Sequence, residues 1–179
     1  RNEANMMLGM IRRNFVYRSK EILLPLFKSL VRPHLDYCIQ AWRPHYVKDI
    51  EVLEKVQRRA TKLVDGLGGL GYEDRLLRLR LTTFETRMLR ADLIEVYKIF
   101  KGLDTLEADK FFTLSKLDNR GHAFKLFKRR FRLDIGKFCF ANRVCDEWNG
   151  LSQETVEASS LNVFKSKLDH HLRIVRGLI

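Results

Sequence analysis

The sequence is short of the residues that would staple, anchor or catalyse. Its three cysteines, Cys38, Cys139 and Cys145, are an odd count with no Cys-x-x-Cys among them. A disulfide framework is therefore not expected, and a reducing compartment is. His34, His45, His122, His170 and His171 do not stand at zinc-ligand spacing with those cysteines. The longest apolar run, Ile22 to Phe27, is interrupted by Pro25 and falls far below the roughly 20 residues a membrane helix needs. The chain opens on Arg1 with no signal-peptide pattern, and reads as a fragment of a longer polyprotein. Phosphate-binding loop, nucleophile elbow and zinc-deaminase signatures are all missing. No cofactor, no metal and no membrane partner are expected.

What the chain has is positive charge. It is 179 residues long, 45% hydrophobic and 31% charged, with a net charge of +12, the profile of a folded chain of one domain or two small ones. Residues 1–66 carry 13 Lys/Arg against 7 Asp/Glu, residues 67–118 carry 9 against 9, and residues 119–179 carry 12 against 6. Two basic ends thus flank a neutral middle. Such a balance points to a polyanion, nucleic acid first and an anionic membrane second.

Helical periodicity dominates, so a mainly α fold is expected. A helix is read over 3–14, ending in Arg12-Arg13-Asn14. A second runs from a Ser19 cap to about Val31, apolar on nearly every side and hence central and buried, with Pro25 kinking it. Pro33 marks a break, and a short helix follows from His34 to Trp42. Residues 47–64 form the clearest amphipathic helix, with Glu51–Lys55 and Glu54–Arg58 spaced as surface ion pairs. Gly66 to Gly71 reads as a flexible joint. Beyond it come a short helix over 72–80, a helix to about Lys101 opened by a Thr82–Glu85 capping box, and an irregular stretch over 103–121. A short hairpin is read near 122–133 and a helix over 136–149. A last helix is capped by Ser159 or Ser160, with Leu161, Phe164, Leu168, Leu172 and Val175 on one face.

Three basic clusters are candidate contacts. Lys55, Arg58, Arg59 and Lys62 fall at i, i+3, i+4 and i+7, one stripe of a helix. Such a stripe either tracks a phosphate backbone without reading bases or is a solvated face tied down by Glu51 and Glu54. Arg12 and Arg13, with Arg18 and Lys20 after them, either approach a nucleic acid or satisfy a helix dipole. Lys125, Lys128, Arg129, Arg130 and Arg132 interleave with Phe124, Phe127 and Phe131. That pattern suits RNA, whose bases stack on rings, and equally an amphipathic strand with its rings in a core. The strand reading is preferred. His34, Tyr37 and Trp42 are read as core and edge packing.

Beyond these patterns lies an ordered series of short motifs. Leu8-Gly9-Met10-Ile11-Arg12-Arg13-Asn14-Phe15 is followed by Val31 to Trp42, by Gln57-Arg58-Arg59-Ala60, and by Asp92-Leu93-Ile94-Glu95-Val96-Tyr97-Lys98. Gly121-His122-Ala123-Phe124, Asn142-Arg143-Val144 and Trp148-Asn149-Gly150-Leu151 complete it. The series resembles the region just after the polymerase core of non-LTR retrotransposon (LINE) reverse transcriptases, closest to the jockey and chicken-repeat group.

The resemblance implies a reverse-transcriptase thumb-like helical bundle over 1–66 and a C-terminal helical subdomain over 67–179. It implies a transposable-element protein of ribonucleoproteins in nucleus and cytoplasm, gripping RNA or an RNA–DNA hybrid during target-primed reverse transcription. The upstream palm domain of the parent RNA-directed DNA polymerase would be a partner. The catalytic carboxylates of such enzymes, an aromatic-x-Asp-Asp turn that holds two Mg²⁺, would lie upstream. The nearest string here, Tyr72-Glu73-Asp74, opens an expected helix, where acids are ordinary. No catalysis is therefore expected of this chain. The alternative is a domesticated protein-interaction module whose apolar Ile22–Leu30 surface drives self-association.

Overall fold

The computed structural model describes residues 2–115 and 121–175, with side chains through Arg173. Residues 116–120 of the stretch read as irregular, and the Val175 side chain read on the last apolar face, lie outside the described residues. The protein is mainly helical and divides into two compact units, Arg1–Met88 and Leu89–Ile179.

In the first unit, α1 (Asn2–Asn14) buries Ala4, Leu8 and Ile11, one stripe at spacings of four and three. α2 (Lys20–Leu26) runs into a π-helical turn over Phe27–Val31. The irregularity expected at Pro25 takes this form. Just after the proline the backbone bonds widen, Arg32 N–H donating to the Phe27 carbonyl at 3.0 Å, and Ser29 Oγ donates to the Pro25 carbonyl. The segment is not buried all round as its composition suggested. Leu23, Phe27 and Val31 face inward, while Ile22 and Leu30 stay 40% and 36% exposed.

The break read at Pro33 lies elsewhere. Arg32 is helical and Pro33 opens α3 (Pro33–Asp36), a position where its missing N–H costs nothing. The chain instead turns at Cys38, held left-handed at φ +54°, before α4 (Ile39–Trp42). One expected helix is therefore two single turns.

α5 (Val47–Lys62) and α6 (Tyr72–Leu79) are joined by the glycine-rich segment. That segment lies inside the first unit rather than between units. Leu67 is buried in a cluster with Leu23, Val64, Leu76, Leu79 and Leu81, and Leu70 packs on it. The apolar residues between the glycines hold the segment to α2 and α6. The unit boundary falls instead within α7 (Phe84–Phe100). The cap of α7 is Thr83, not Thr82: its Oγ1 accepts the Thr86 N–H at 3.2 Å.

Glu54 is not a surface partner of Arg58. It points inward from α5 and is buried. One carboxylate oxygen accepts from Tyr72 OH and from Gln57 Nε2, and the other accepts the Phe84 N–H at 2.6 Å. Gln57 donates onward to the Thr82 carbonyl at 2.8 Å and accepts from Arg87 Nη1 at 2.6 Å. The Arg87 Nε reaches both oxygens of Asp36, at 3.1 and 3.0 Å. Burial first, and then the Glu54 carboxylate, pushes the Tyr72 phenol pKa up, so Tyr72 remains a donor. Glu51 and Lys55 have no side-chain partner among the described residues.

In the second unit, α7 continues beside α13 (Leu161–Val175). The Tyr97 ring stacks on Phe164 with centroids 4.1 Å apart, and its hydroxyl donates to the Ala158 carbonyl at 2.7 Å. Asp92, fully buried, takes Arg143 through two bonds of 3.0 Å. Between α7 and α13 come the short helices α8 (Ala108–Phe111), α9 (Asp134–Lys137), α10 (Phe140–Arg143) and α11 (Cys145–Asn149). A further turn, α12 (Gln153–Val156), precedes α13. The single helix read over 136–149 is thus broken into α9, α10 and α11, because Cys139 and Val144 cap new turns. Ser160 caps α13, its Oγ accepting from the Val163 N–H.

No strand forms among the described residues, and the hairpin read near 122–133 is absent. Leu126 makes one antiparallel bridge, with Leu114. On the other edge of that extended segment a side chain takes the place of a strand. Asn149 accepts the Leu126 N–H at 2.7 Å and donates back to its carbonyl at 2.9 Å. Trp148 Nε1 donates to the Phe124 carbonyl at 2.8 Å, and His122 Nε2 lies 3.0 Å from the Trp148 carbonyl. A second backbone pairing is unnecessary because these side chains satisfy the backbone. The His122 Nδ1 is buried with no hydrogen-bond partner among the described residues.

Replacing Glu54 by Leu strands two donors, Tyr72 OH and the Phe84 N–H, each worth about 1–3 kcal/mol when buried and unsatisfied. The expected loss is at least about 2 kcal/mol, read as a lower urea midpoint of helical circular dichroism. Glu51→Leu, on the exposed face of the same helix, should stay within about 0.5 kcal/mol.

A second expectation concerns pH. Burial, and to a lesser degree Lys125, lowers the His122 pKa, while the Trp148 carbonyl and Glu157 oppose them. The folded form therefore favours neutral imidazole. Its contribution is complete above the ordinary histidine range near 6.5 and is lost as pH falls through the depressed folded value. Thermal unfolding of the wild type should weaken between pH 7 and 5 by more than that of His122→Gln. Parallel profiles for the two would contradict this.

Candidate nucleic-acid interface

α5 folds because Val56 and Ala60 recur on its inner face beside Glu54, Gln57 and Thr61. That packing turns Lys55, Arg58, Arg59 and Lys62 outward, and all are exposed. The segment after α1 and the turn after α5 are tied to each other. Arg18 N–H donates to Asp65 Oδ2 at 2.7 Å, and Asp65 N–H returns to the Arg18 carbonyl at 3.0 Å. This clasp holds the segment after α1 against the turn after α5.

Between α1 and α5 lies a cleft of about 290 Å³ lined by Asn5, Leu8, Gly9, Arg12, Arg59, Lys62 and Leu63. Three cations from two helices meet there with no carboxylate in the lining. The Arg59 Nη1 donates to Asn5 Oδ1 at 3.0 Å, which fixes its guanidinium at the edge. Arg12 and Lys62 have no side-chain partner among the described residues. Nothing stands within 4 Å of where a Cβ would sit on Gly9, so the floor of the cleft is open backbone. Asn5 carried no signal in the sequence, being neither charged nor part of a periodic stripe, and Gly9 stood out only as a member of the opening motif.

The other α5 cations differ. Arg58 lies over the Tyr72 ring, 4.3 Å from its centroid, an arrangement that holds the guanidinium flat at the surface. Lys55 is unpartnered among the described residues. Arg13 is exposed and outside the cleft lining. Lys20 is tied down: its Nζ donates to the Arg78 carbonyl at 3.1 Å, capping the last turn of α6.

A second cleft in the same unit, about 530 Å³, is lined by Glu3, Pro33, His34, Tyr37, Trp42 and Leu53. Tyr37 is 81% exposed and Trp42 41%, so the packing role read for them, and for His34, is not what the fold gives. Tyr37 stands exposed just before the left-handed turn at Cys38, and the Trp42 indole N–H donates to the Tyr37 carbonyl. No sequence pattern announces a left-handed non-glycine residue.

In the second unit the basic–aromatic segment is largely fastened. Lys128 pairs with Asp146, Arg129 Nη2 donates to Thr113 Oγ1 at 3.0 Å, and Lys125 is partnered. Arg130 and Arg132 are exposed and without a side-chain partner among the described residues. The rings are not a core face as the strand reading required, for Phe127 and Phe131 remain more than 40% exposed. Phe131 nonetheless lies on Gly136, where a Cβ would meet the ring at 2.5 Å.

Among the described residues no cluster of three or more His, Cys, Asp or Glu could hold a metal, and no helix is long and apolar enough to cross a membrane. Comparison with protein-family models, with curated proteins and with solved structures finds no match to this chain.

Proposed function

We propose that the chain is a non-catalytic nucleic-acid-binding part of a LINE-type RNA-directed DNA polymerase, gripping the RNA template or an RNA–DNA hybrid. The observation that supports this reading is the cleft in which Arg12, Arg59 and Lys62 converge from α1 and α5 with no acid lining it. Three cations over open glycine backbone suit phosphates spaced along a strand, and such contacts position a nucleic acid without reading its sequence. Lys55 and Arg58 extend the same stripe along α5. Arg13, Arg130 and Arg132 are further exposed cations available to a polyanion.

The reading excludes polymerase chemistry for this chain. Glu73 and Asp74 stand exposed in the first turn of α6, where they suit the helix dipole. Nucleotide incorporation on a primed template with Mg²⁺ should be absent. Incorporation abolished by a Glu73→Ala/Asp74→Ala pair would overturn this.

A second reading, a protein-interaction module, is favoured by the exposure of Ile22 and Leu30, and of Phe15, Val16 and Tyr17. Its mark would be an oligomer indifferent to salt.

Arg12→Ala with Lys62→Ala tests the first reading. Binding by phosphate neutralisation releases counterions, so affinity must fall steeply with salt. The pair should weaken binding and flatten the log–log salt slope by about two units, one per lost contact. Circular dichroism should not change, since both side chains lie off the buried face. Filter binding at several salt concentrations, with light scattering on the same samples, reads both outcomes. Identical slopes for wild type and variant would remove this cleft from the footprint.

A further inference from the structure

The second unit holds a pocket of its own, about 140 Å³, whose lining includes Phe111, Phe127, Arg129, Phe131, Cys139 and Asn142. That is well below the roughly 300–1,000 Å³ of a drug-sized site, and suits one flat ring system. The rings of Phe111, Phe127 and Phe131 are exposed, yet the chain that carries them is fastened. Phe127 N–H donates to the Thr113 carbonyl at 2.7 Å, and Asn149 holds both backbone groups of the preceding Leu126. Phe131 lies so close on Gly136 that a side chain there would strike its ring. A ring stacking on a wall already in place loses little freedom on binding.

The polar part of the wall holds no carboxylate. Arg129 Nη2 donates to Thr113 Oγ1 at 3.0 Å, which fixes its guanidinium. Asn142 is only 5% exposed. Its Nδ2 donates to the Lys137 carbonyl at 3.0 Å, and its Oδ1 has no hydrogen-bond partner among the described residues. A buried amide oxygen left without a donor is costly, and a donor in the pocket would relieve it. Arg130 and Arg132 belong to the same segment, exposed and without a side-chain partner among the described residues. Open rings, an idle acceptor and neighbouring cations together match a nucleobase with its phosphates. An apolar side chain from a protein would use the rings and leave the other groups idle.

We infer that this pocket holds an unpaired base of single-stranded RNA, stacked against Phe127 and Phe131, with Asn142 Oδ1 accepting from its amino group and Arg129, Arg130 and Arg132 on the adjoining phosphates. This rests on the nucleic-acid reading above and adds a single-strand site to it. A base inside a duplex is stacked and paired, so only a splayed-out base can enter. Cytosine presents an amino group where uracil presents a carbonyl, so cytosine is preferred.

Short oligocytidine and oligouridine RNAs carry the same phosphates, so together they isolate the base. Both are titrated against the wild-type chain and against Arg12→Ala/Lys62→Ala, which removes the basic cleft as a competing site. On that variant oligocytidine should bind about 2- to 10-fold more tightly than oligouridine, the range of one hydrogen bond. Adding Phe127→Ala should weaken oligocytidine about 5- to 100-fold, the range of one stacked base, and leave the salt slope unchanged. Phe127→Tyr should restore it. Phe127 is exposed, so its truncation does not threaten folding. The exposed Cys139 thiol in the lining reports occupancy. Its alkylation by iodoacetamide, read by peptide mass mapping, should slow with oligocytidine and stay fast in the Phe127→Ala chain at the same RNA concentration. Equal affinity for the two RNAs would overturn the role of Asn142. Salt-sensitive binding that ignores Phe127→Ala and leaves Cys139 unprotected would overturn the inference and leave the basic cleft standing. Self-association that Phe127→Ala abolishes, with RNA affinity unchanged, would give the pocket to a second copy and overturn it too. No RNA binding by the wild type would overturn both readings.

Discussion

The carboxylate of Glu54 sits where three helices of the first unit meet, and the arrangement of that unit depends on it. A buried carboxylate is expensive unless its lone pairs are filled. Here they are filled by a phenol from α6, an amide from α5 itself and the first backbone N–H of α7. The last of these does the work of a helix cap, adding to Thr83. Gln57 and Arg87 carry the bonding on to Asp36 of α3. Because each member has a fixed geometry, α3, α5, α6 and the start of α7 can pack in one register only. Greasy contacts alone would allow the helices to slide.

This inward demand also decides what α5 shows to the outside. With Glu54, Gln57 and Thr61 spent on the interior, the exposed face of the helix is left to Lys55, Arg58, Arg59 and Lys62. Glu54 is used by the network and Asp65 by the Arg18 backbone, and exposed Glu51 makes no ion pair with the stripe among the described residues. The result is a cleft beside α1 whose lining carries no acid, and the last turn of α1 brings Arg12 to it. The fold thus concentrates a diffuse excess of cations into one cleft. In the second unit the opposite happens. Asp146, Thr113 and Asp92 take up Lys128, Arg129 and Arg143, so a stretch that reads as the most basic of the chain leaves Arg130 and Arg132 as its unpartnered members among the described residues.

The motif series behind the LINE resemblance has a structural content of its own. Trp148 and Asn149 fasten the segment after Gly121, and His122 returns the contact. Asn142 bonds the Lys137 carbonyl at 3.0 Å, and Arg143 holds buried Asp92. These residues build the second unit. The cleft residues lie instead in the opening stretch with Arg12 and in the α5 stretch with Arg59.

Some of this was legible from sequence. The long amphipathic helices α1, α5, α7 and α13 follow from apolar spacing, because a 3.6-residue repeat leaves a mark that no other structure shares. The stripe on α5 followed from the same spacing, and of the two serines read as caps of the last helix the fold uses Ser160. Other features left no mark. The Glu54–Arg58 spacing promised a surface pair, yet burial of Tyr72 and Phe84 beside Glu54 drew it inward. The alternation of 122–133 promised a hairpin, yet a single asparagine side chain served as the second edge. The glycines of 66–71 promised a joint, yet Leu67 and Leu70 between them found a core. By itself the sequence determined where helices form and where positive charge is plentiful, since both are properties of neighbours along the chain. Which cations meet in one cleft, and which rings stand open at Cys38, was decided only by tertiary structure. Those outcomes depend on partners dozens of residues away, competing for the same carboxylates, carbonyls and buried space.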